Sequence, residues 1–230
     1  MEYNFFILSV LFFIPGVIIY LFRKDLRPVI HIMVLFSLPF AFTESLFYPT
    51  YWEPLFLFNL IEIIGFGIED LMFVAGLGAF TSTIYAFTLK YEFNSRTVLS
   101  FRNMLKRGLT LIGITFLLVL VVALLQIPMI YGSVAIMILM AVAIFIFRMD
   151  LWKPGLMGGG LTLVVYSGLC VVVNLIYPQI FDLTWHTQEF LHIFIFGIPI
   201  EEMLYAFASG MIATAFYPFV FDKNLIKINS

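Results

Sequence analysis

The chain is written in long apolar runs separated by short polar breaks. A membrane-spanning helix needs roughly 20 mostly apolar residues. Seven runs meet that need, at about 3–22, 28–47, 64–88, 108–126, 130–147, 155–177 and 192–220. None shows the alternation, over roughly ten residues, that marks a membrane β-barrel strand. The pattern therefore predicts an all-α membrane protein of seven transmembrane helices. The first run follows the acidic Glu2 instead of a basic stretch, and no small-residue cleavage site follows it. It reads as an uncleaved first helix.

Composition supports this reading. Of 230 residues, 63% are hydrophobic and 11% are charged, and mean hydropathy is +1.07. A soluble domain carries roughly 25% charged residues, so these charges cannot cover a water-facing surface. The expected location is within a membrane, the plasma membrane if the source is prokaryotic. A net charge of −2 gives a nucleic-acid partner no electrostatic basis. The single Cys170 excludes an internal disulfide, and with only His31, His186 and His192 no metal site is expected. Gly158-Gly159-Gly160 lies inside an apolar run without a strand–turn–helix setting, so it is no dinucleotide fingerprint. No cofactor is expected.

The charges also orient the chain. With seven spans, Arg23, Lys24 and Arg27 fall after span 1. Lys90, Arg96, Arg102, Lys106 and Arg107 fall between spans 3 and 4. Arg148 and Lys153 fall between spans 5 and 6, and Lys223 and Lys227 after span 7. All 12 basic residues thus lie on one side, which the positive-inside rule makes cytoplasmic. The N-terminus is then outside and the C-terminus inside. Only Asp25, Glu92, Asp150 and Asp222 of the acids share the inner side.

The chain also resembles itself. Leu21-Phe22-Arg23-Lys24-Asp25-Leu26 is similar to Ile146-Phe147-Arg148-Met149-Asp150-Leu151, with Pro28 and Pro154 soon after. Tyr48-Pro49 matches Tyr177-Pro178, Trp52 matches Trp185, and Gly65-Phe66-Gly67-Ile68-Glu69-Asp70 matches Gly197-Ile198-Pro199-Ile200-Glu201-Glu202. The offset drifts from 125 to 132, as small loop insertions would make it. Spans 1–3 and 5–7 read as two parallel three-helix repeats, since span 4 restores the orientation that an odd unit reverses. The expected organisation is a first repeat over 1–90, a cytoplasmic loop and linker helix over 91–129, and a second repeat over 130–230. Such duplications place substrate sites at the interface of their units.

Each unit carries adjacent acids near the start of its third span, Glu69-Asp70 and Glu201-Glu202. Each first acid precedes the next inner-side charge, Lys90 or Asp222, by 21 residues, about 31 Å of helix. The pairs therefore sit at matching depth near the outer boundary. A carboxylate in a membrane helix is costly and is a functional candidate by default. A solvated helix start, where the helix dipole favours acids, is the plainer alternative. Neighbouring helical residues point about 100° apart, so one acid of each pair faces a cavity while the other orients or solvates it. Gly65, Gly67, Gly197 and Pro199 permit a helix break before the acids. Glu44, Glu62, Asn59, Asn174 and His192 are further polar groups of the outer halves. Phe73, Tyr205 and Phe207 share the acid-bearing helices, and Trp52 and Trp185 precede them. Aromatic faces stabilise cations, though packing and an interfacial belt use the same residues.

A Pro-x-Glu-Glu/Asp pattern opening the third span of two three-span units resembles the integral-membrane lycopene cyclases: the bacterial heterodimeric type, its fused forms, and the cyclase domain of fungal bifunctional enzymes. Pro199-Ile200-Glu201-Glu202 matches the pattern in full. Glu69-Asp70 matches it with Gly67 where Pro is expected. The resemblance implies a lycopene cyclase of carotenoid biosynthesis, an isomerase (intramolecular lyase) with a linear carotenoid substrate and no cofactor. Its partners would be membrane lipids and other enzymes of the pathway. In the implied chemistry an acid protonates a terminal double bond, the neighbouring double bond closes a ring on the cation, and a base removes a proton. Glu201 is then the donor with Glu202 in support, and Glu69-Asp70 the base or an equivalent second pair. Phe73, Tyr205, Phe207, Trp52, Trp185, Glu44 and Asn174 are the substrate-binding or cation-stabilising candidates.

Four other readings compete. Seven spans with an outer N-terminus suit a retinal protein, but residues 192–220 contain no lysine for a Schiff base. The membrane proteases of prenylated proteins carry Glu-Glu-x-x-x-Arg, and Ala206 stands at the arginine position. A related isoprenoid-modifying enzyme, or a non-catalytic proton-coupled or lipid carrier, would use the same acids.

Overall fold

The computed structural model describes residues 4–97, 100–187 and 190–228. Glu2 and the first residue of the first expected span, Tyr3, lie outside the described residues. Among the described residues, six helical segments are long and apolar enough to cross a membrane: Asn4–Phe22, Lys24–Leu46, Phe101–Leu124, Met129–Phe147, Met149–Ile176 and Ile200–Val220. They make this an integral membrane protein, mostly helical. The helices are α1 (Asn4–Phe22), α2 (Arg27–Ser37, continued by a 3₁₀ stretch Leu38–Leu46), α3 (Leu60–Ile64), α4 (Ile68–Thr81) and α5 (Ile84–Thr88). Then come α6 (Phe101–Leu124), α7 (Met129–Phe147), α8 (Trp152–Ile176), α9 (Ile180–Thr184) and α10 (Ile200–Val220).

The run at 64–88 departs from expectation. It folds as α4 and α5, separated at Ser82-Thr83. The hydroxyls of Thr81, Ser82 and Thr83 donate back to the carbonyls of Leu77, Gly78 and Ala79 at 2.6, 2.7 and 2.7 Å. Such back-bonding competes with the helical ladder, and the Thr83 N–H turns to Phe80 O at 3.1 Å. The run expected from 192 also starts later, at Ile200. Its first residues form a hairpin of β2 (Phe194–Ile195) and β3 (Ile198–Pro199), taking β1 as Tyr91–Ser95. Phe196 and Gly197 make its two-residue turn with φ of 54° and 75°, the positive values that a tight hairpin requires. A fourth strand, β4 (Lys223–Lys227), pairs antiparallel with β1.

Small residues set the helix packing. A Cβ on Gly76 of α4 would lie 2.7 Å from Phe12 O of α1, and one on Gly16 would lie 2.7 Å from Ala79 Cβ. On α8, a Cβ on Gly159 would lie 2.8 Å from Phe207 O of α10, and Gly158 abuts Thr214. Gly160 meets open space. The glycine run is thus a close-approach surface of the kind that membrane helices use in the absence of a hydrophobic drive to associate. α1 and α2 flank α4, and α7 and α8 flank α10. α6 lies at the periphery, with only 6% of its apolar stretch buried. It packs on α7 and touches α10.

Two junctions tie the halves together. On one side Trp52 and Trp185 form an antiparallel bridge. Glu53 N–H donates to Thr184 O at 2.8 Å, and His186 N–H to Tyr51 O at 2.9 Å. On the other side β1 meets β4, with Phe93 opposite Leu225. An arginine anchors each helix turn there. Arg23 grips Asp25 with two hydrogen bonds of 2.8 and 2.7 Å and also donates to Ala86 O and Tyr91 O. Arg148 grips Asp150 at 2.8 and 2.7 Å and also donates to Pro218 O and Lys223 O. The bound aspartates hold both guanidinium pKa values above their ordinary level.

Candidate functional site

A cavity of about 270 Å³ opens between the two helix groups. Its wall is almost wholly apolar, with carboxyl groups of Glu44, Asp70 and Glu202 gathered at one end. From there it follows α10 to Phe216. The 14 residue steps from Glu202 to Phe216 span about 21 Å at 1.5 Å each. α6 closes one flank with Leu111, Ile112, Thr115 and Val119.

The two acids of each pair have separate tasks. Glu202 Oε1 accepts from Tyr51 Oη at 2.8 Å and from Trp185 Nε1 at 2.9 Å, and its Oε2 accepts from Tyr166 Oη at 2.5 Å. Burial and the facing Glu202 push the Tyr51 phenol well above its ordinary pKa, so it stays a donor. Asp70 Oδ2 accepts from Gly67 N–H at 2.6 Å, which caps α4. Asp70 and Glu44 line the same cavity, and Trp52 Nε1 donates to Glu44 Oε1 at 2.7 Å.

The first acids turn away from the cavity. Glu69 Oε1 accepts from Leu57 N–H at 2.7 Å. Glu201 Oε1 accepts from Tyr131 Oη at 2.9 Å and from Leu191 N–H at 3.1 Å. Each fastens the segment that precedes its helix. Both are buried, Glu201 fully, and Glu201 Oε2 has no partner among the described residues.

Of the aromatic candidates, Trp52, Trp185, Phe73 and Tyr205 line the cavity. Phe207 instead packs on Gly159, and Asn174 stands beside Gly197; neither lines it. Tyr51 and Tyr166 are site residues that the sequence reading missed. Tyr51 had a signal, its place beside Trp52. Tyr166 had only its phenol in the middle of an apolar run, where a buried hydroxyl needs a partner.

These features define an integral membrane protein with clustered acids at the end of a long apolar cavity. Residues 128–220 match the model of the lycopene cyclase family. The segment runs from the start of α7 to the end of α10, so it contains Tyr166, Trp185 and Glu201-Glu202. Glu69-Asp70 lie outside it. Searches of curated proteins and of solved structures found no match.

Proposed function

We propose that the protein is a carotenoid cyclase that closes rings on the ends of a linear carotene without net oxidation or reduction. The observation that carries this reading is the convergence of Glu44, Asp70 and Glu202 on one apolar cavity, in a chain whose second half matches the lycopene cyclase family.

The reaction needs a proton donor, a proton acceptor, a water-poor space and a surface that tolerates a carbocation. The Glu44–Asp70 pair, facing the cavity, is the donor. It protonates the terminal double bond, and the neighbouring double bond attacks the cation to close a six-membered ring. Glu202 is the acceptor that removes a ring proton to leave the olefin. Its three donors, Tyr51, Tyr166 and Trp185, hold it in one orientation. One proton enters and one leaves, so the product is an isomer and no redox cofactor is required. Trp52, Trp185, Phe73 and Tyr205 present aromatic faces to the cation. Water would capture that cation, and the apolar wall keeps it out. The donor role first given to Glu201 thus passes to the acids that face the cavity. The carotenoid reaches the site from the lipid phase, where other enzymes of its pathway would deliver it. In a prokaryote that phase is the plasma membrane.

The same reading gives seven spans, with α4 and α5 together as the third, an outer N-terminus and a cytoplasmic C-terminus. It retains the two parallel repeats, 1–90 and 130–230, joined through 91–129. Matching contacts support it. The carbonyls that receive Arg23 and Arg148 are Ala86 and Pro218, and Tyr91 and Lys223. Both pairs differ by 132 positions, as do the paired Phe93 and Leu225. Trp52 and Trp185, equivalent in the repeat, bridge each other. A local two-fold axis through both junctions accounts for all of these contacts.

Deuterium labelling tests the chemistry. Purified protein given lycopene in D₂O should yield cyclic product carrying one deuterium for each ring formed. Cyclic product without deuterium would rule out protonation by a solvent-exchanged acid.

A further inference from the structure

We propose that a basic pocket at the inner end of α6 binds the phosphate headgroup of an anionic phospholipid. The pocket, of about 480 Å³, shares only Leu111 with the lining of the acid cavity and is independent of the cyclase reading. Lys106, Arg107 and Thr110 line it from one face of α6, and Arg148 closes the opposite side. Arg148 is already committed to Asp150, Asp222 and two carbonyls. Asp222, the carboxylate in the wall, is engaged in turn by Arg148 and by the Thr97 hydroxyl. Among the described residues, neither Lys106 nor Arg107 has a carboxylate within ion-pair distance. Three cations against one anion leave the lining with a net charge of about +2.

The rest of the wall is what an acyl chain needs. Phe147 and Phe219 flank the cations, and Phe147 is 77% exposed at the last residue of α7. Lys106 and Arg107 sit in the second turn of α6, on the side that the sequence reading makes cytoplasmic. A phosphate between these two cations lets its acyl chains run along the phenyl rings, beside the chains of the surrounding lipid. Charge alone would put cations anywhere in the 91–129 segment; here they share a concave wall with exposed apolar rings. Basic pockets at this depth recognise anionic headgroups through that combination.

Native mass spectrometry of the purified full chain in detergent tests the proposal, with phosphatidylglycerol or phosphatidylcholine added. The wild type should retain phosphatidylglycerol and not phosphatidylcholine. Lys106→Gln/Arg107→Gln should weaken retention about thirtyfold, at roughly tenfold per lost 1.4 kcal/mol and about 1 kcal/mol per cation. Arg102→Gln, a charge outside the pocket, should retain the lipid as the wild type does, and the thermal midpoints of all three proteins should agree. Equal retention of phosphatidylcholine, or equal loss in Arg102→Gln, would overturn the site. Displacement of phosphatidylglycerol by millimolar inorganic phosphate would show a free-phosphate site and overturn the lipid occupant. Should the double variant fail to fold, Thr110→Phe supplies the second test, since filling the pocket should also abolish retention.

Discussion

Glu201 and Glu202 are neighbours in sequence, yet one grips Leu191 N–H and Tyr131 while the other faces the cavity with three donors on it. Replacing them should therefore have different consequences. Glu202→Gln should lower the cyclisation rate by about 10²- to 10⁴-fold, the usual contribution of a proton-transfer group. Glu201→Gln should lose less than about 10²-fold, measured as ring product per unit of folded protein. Equal losses in the two variants would contradict the division of labour. That both pairs are buried at equivalent helix starts was legible from their repeated placement. Which member faces the cavity was not, because a spacing of 100° fixes the angle between side chains and not the direction of the cavity. Tyr51 and Tyr166 escaped notice because partners so distant in sequence leave no local pattern.

At the scale of elements, hydropathy located most of the long helices to within a few residues, since nothing else in the chain competes with 20-residue apolar runs. But α6 starts at Phe101 instead of 108, because its first turns carry Arg102, Lys106 and Arg107, and α10 starts at Ile200 instead of 192. Hydropathy failed where the run stays apolar while the backbone changes course. The break at Ser82-Thr83 comes from hydroxyl back-bonding. The β2–β3 hairpin comes from positive φ at Phe196 and Gly197. Neither alters mean hydropathy. The glycines of α8 carry the clearest prediction at this scale. Gly158→Val would drive its side chain into Thr214, and Gly210→Val would drive its own into Thr162. Overpacking of that kind costs about 1–3 kcal/mol. Gly160→Val meets open space and should leave the thermal midpoint in detergent nearly unchanged. Equal shifts for Gly158→Val and Gly160→Val would refute the close-approach role of α8.

For the whole molecule, the placement of all 12 basic residues on one side was the strongest sequence signal for seven crossings, and the third crossing is the one to test because it is built from the short α4 and α5. Sided labelling addresses it directly. In a Cys170→Ala background, Asn59→Cys should react with an impermeant maleimide from outside, and Glu92→Cys only after the membrane is opened. Reaction of both from the same side would remove the third crossing and with it the parallel arrangement of the repeats. The central claim, that cavity acids cyclise a carotene, is tested most directly by pigment analysis in a lycopene-accumulating bacterial host that expresses the chain or its Glu202→Gln variant at matched membrane levels. The account predicts monocyclic or bicyclic carotenes with the wild type and unchanged lycopene with the variant. Unchanged lycopene with folded wild-type protein in the membrane, or the same cyclic products from both, would contradict it.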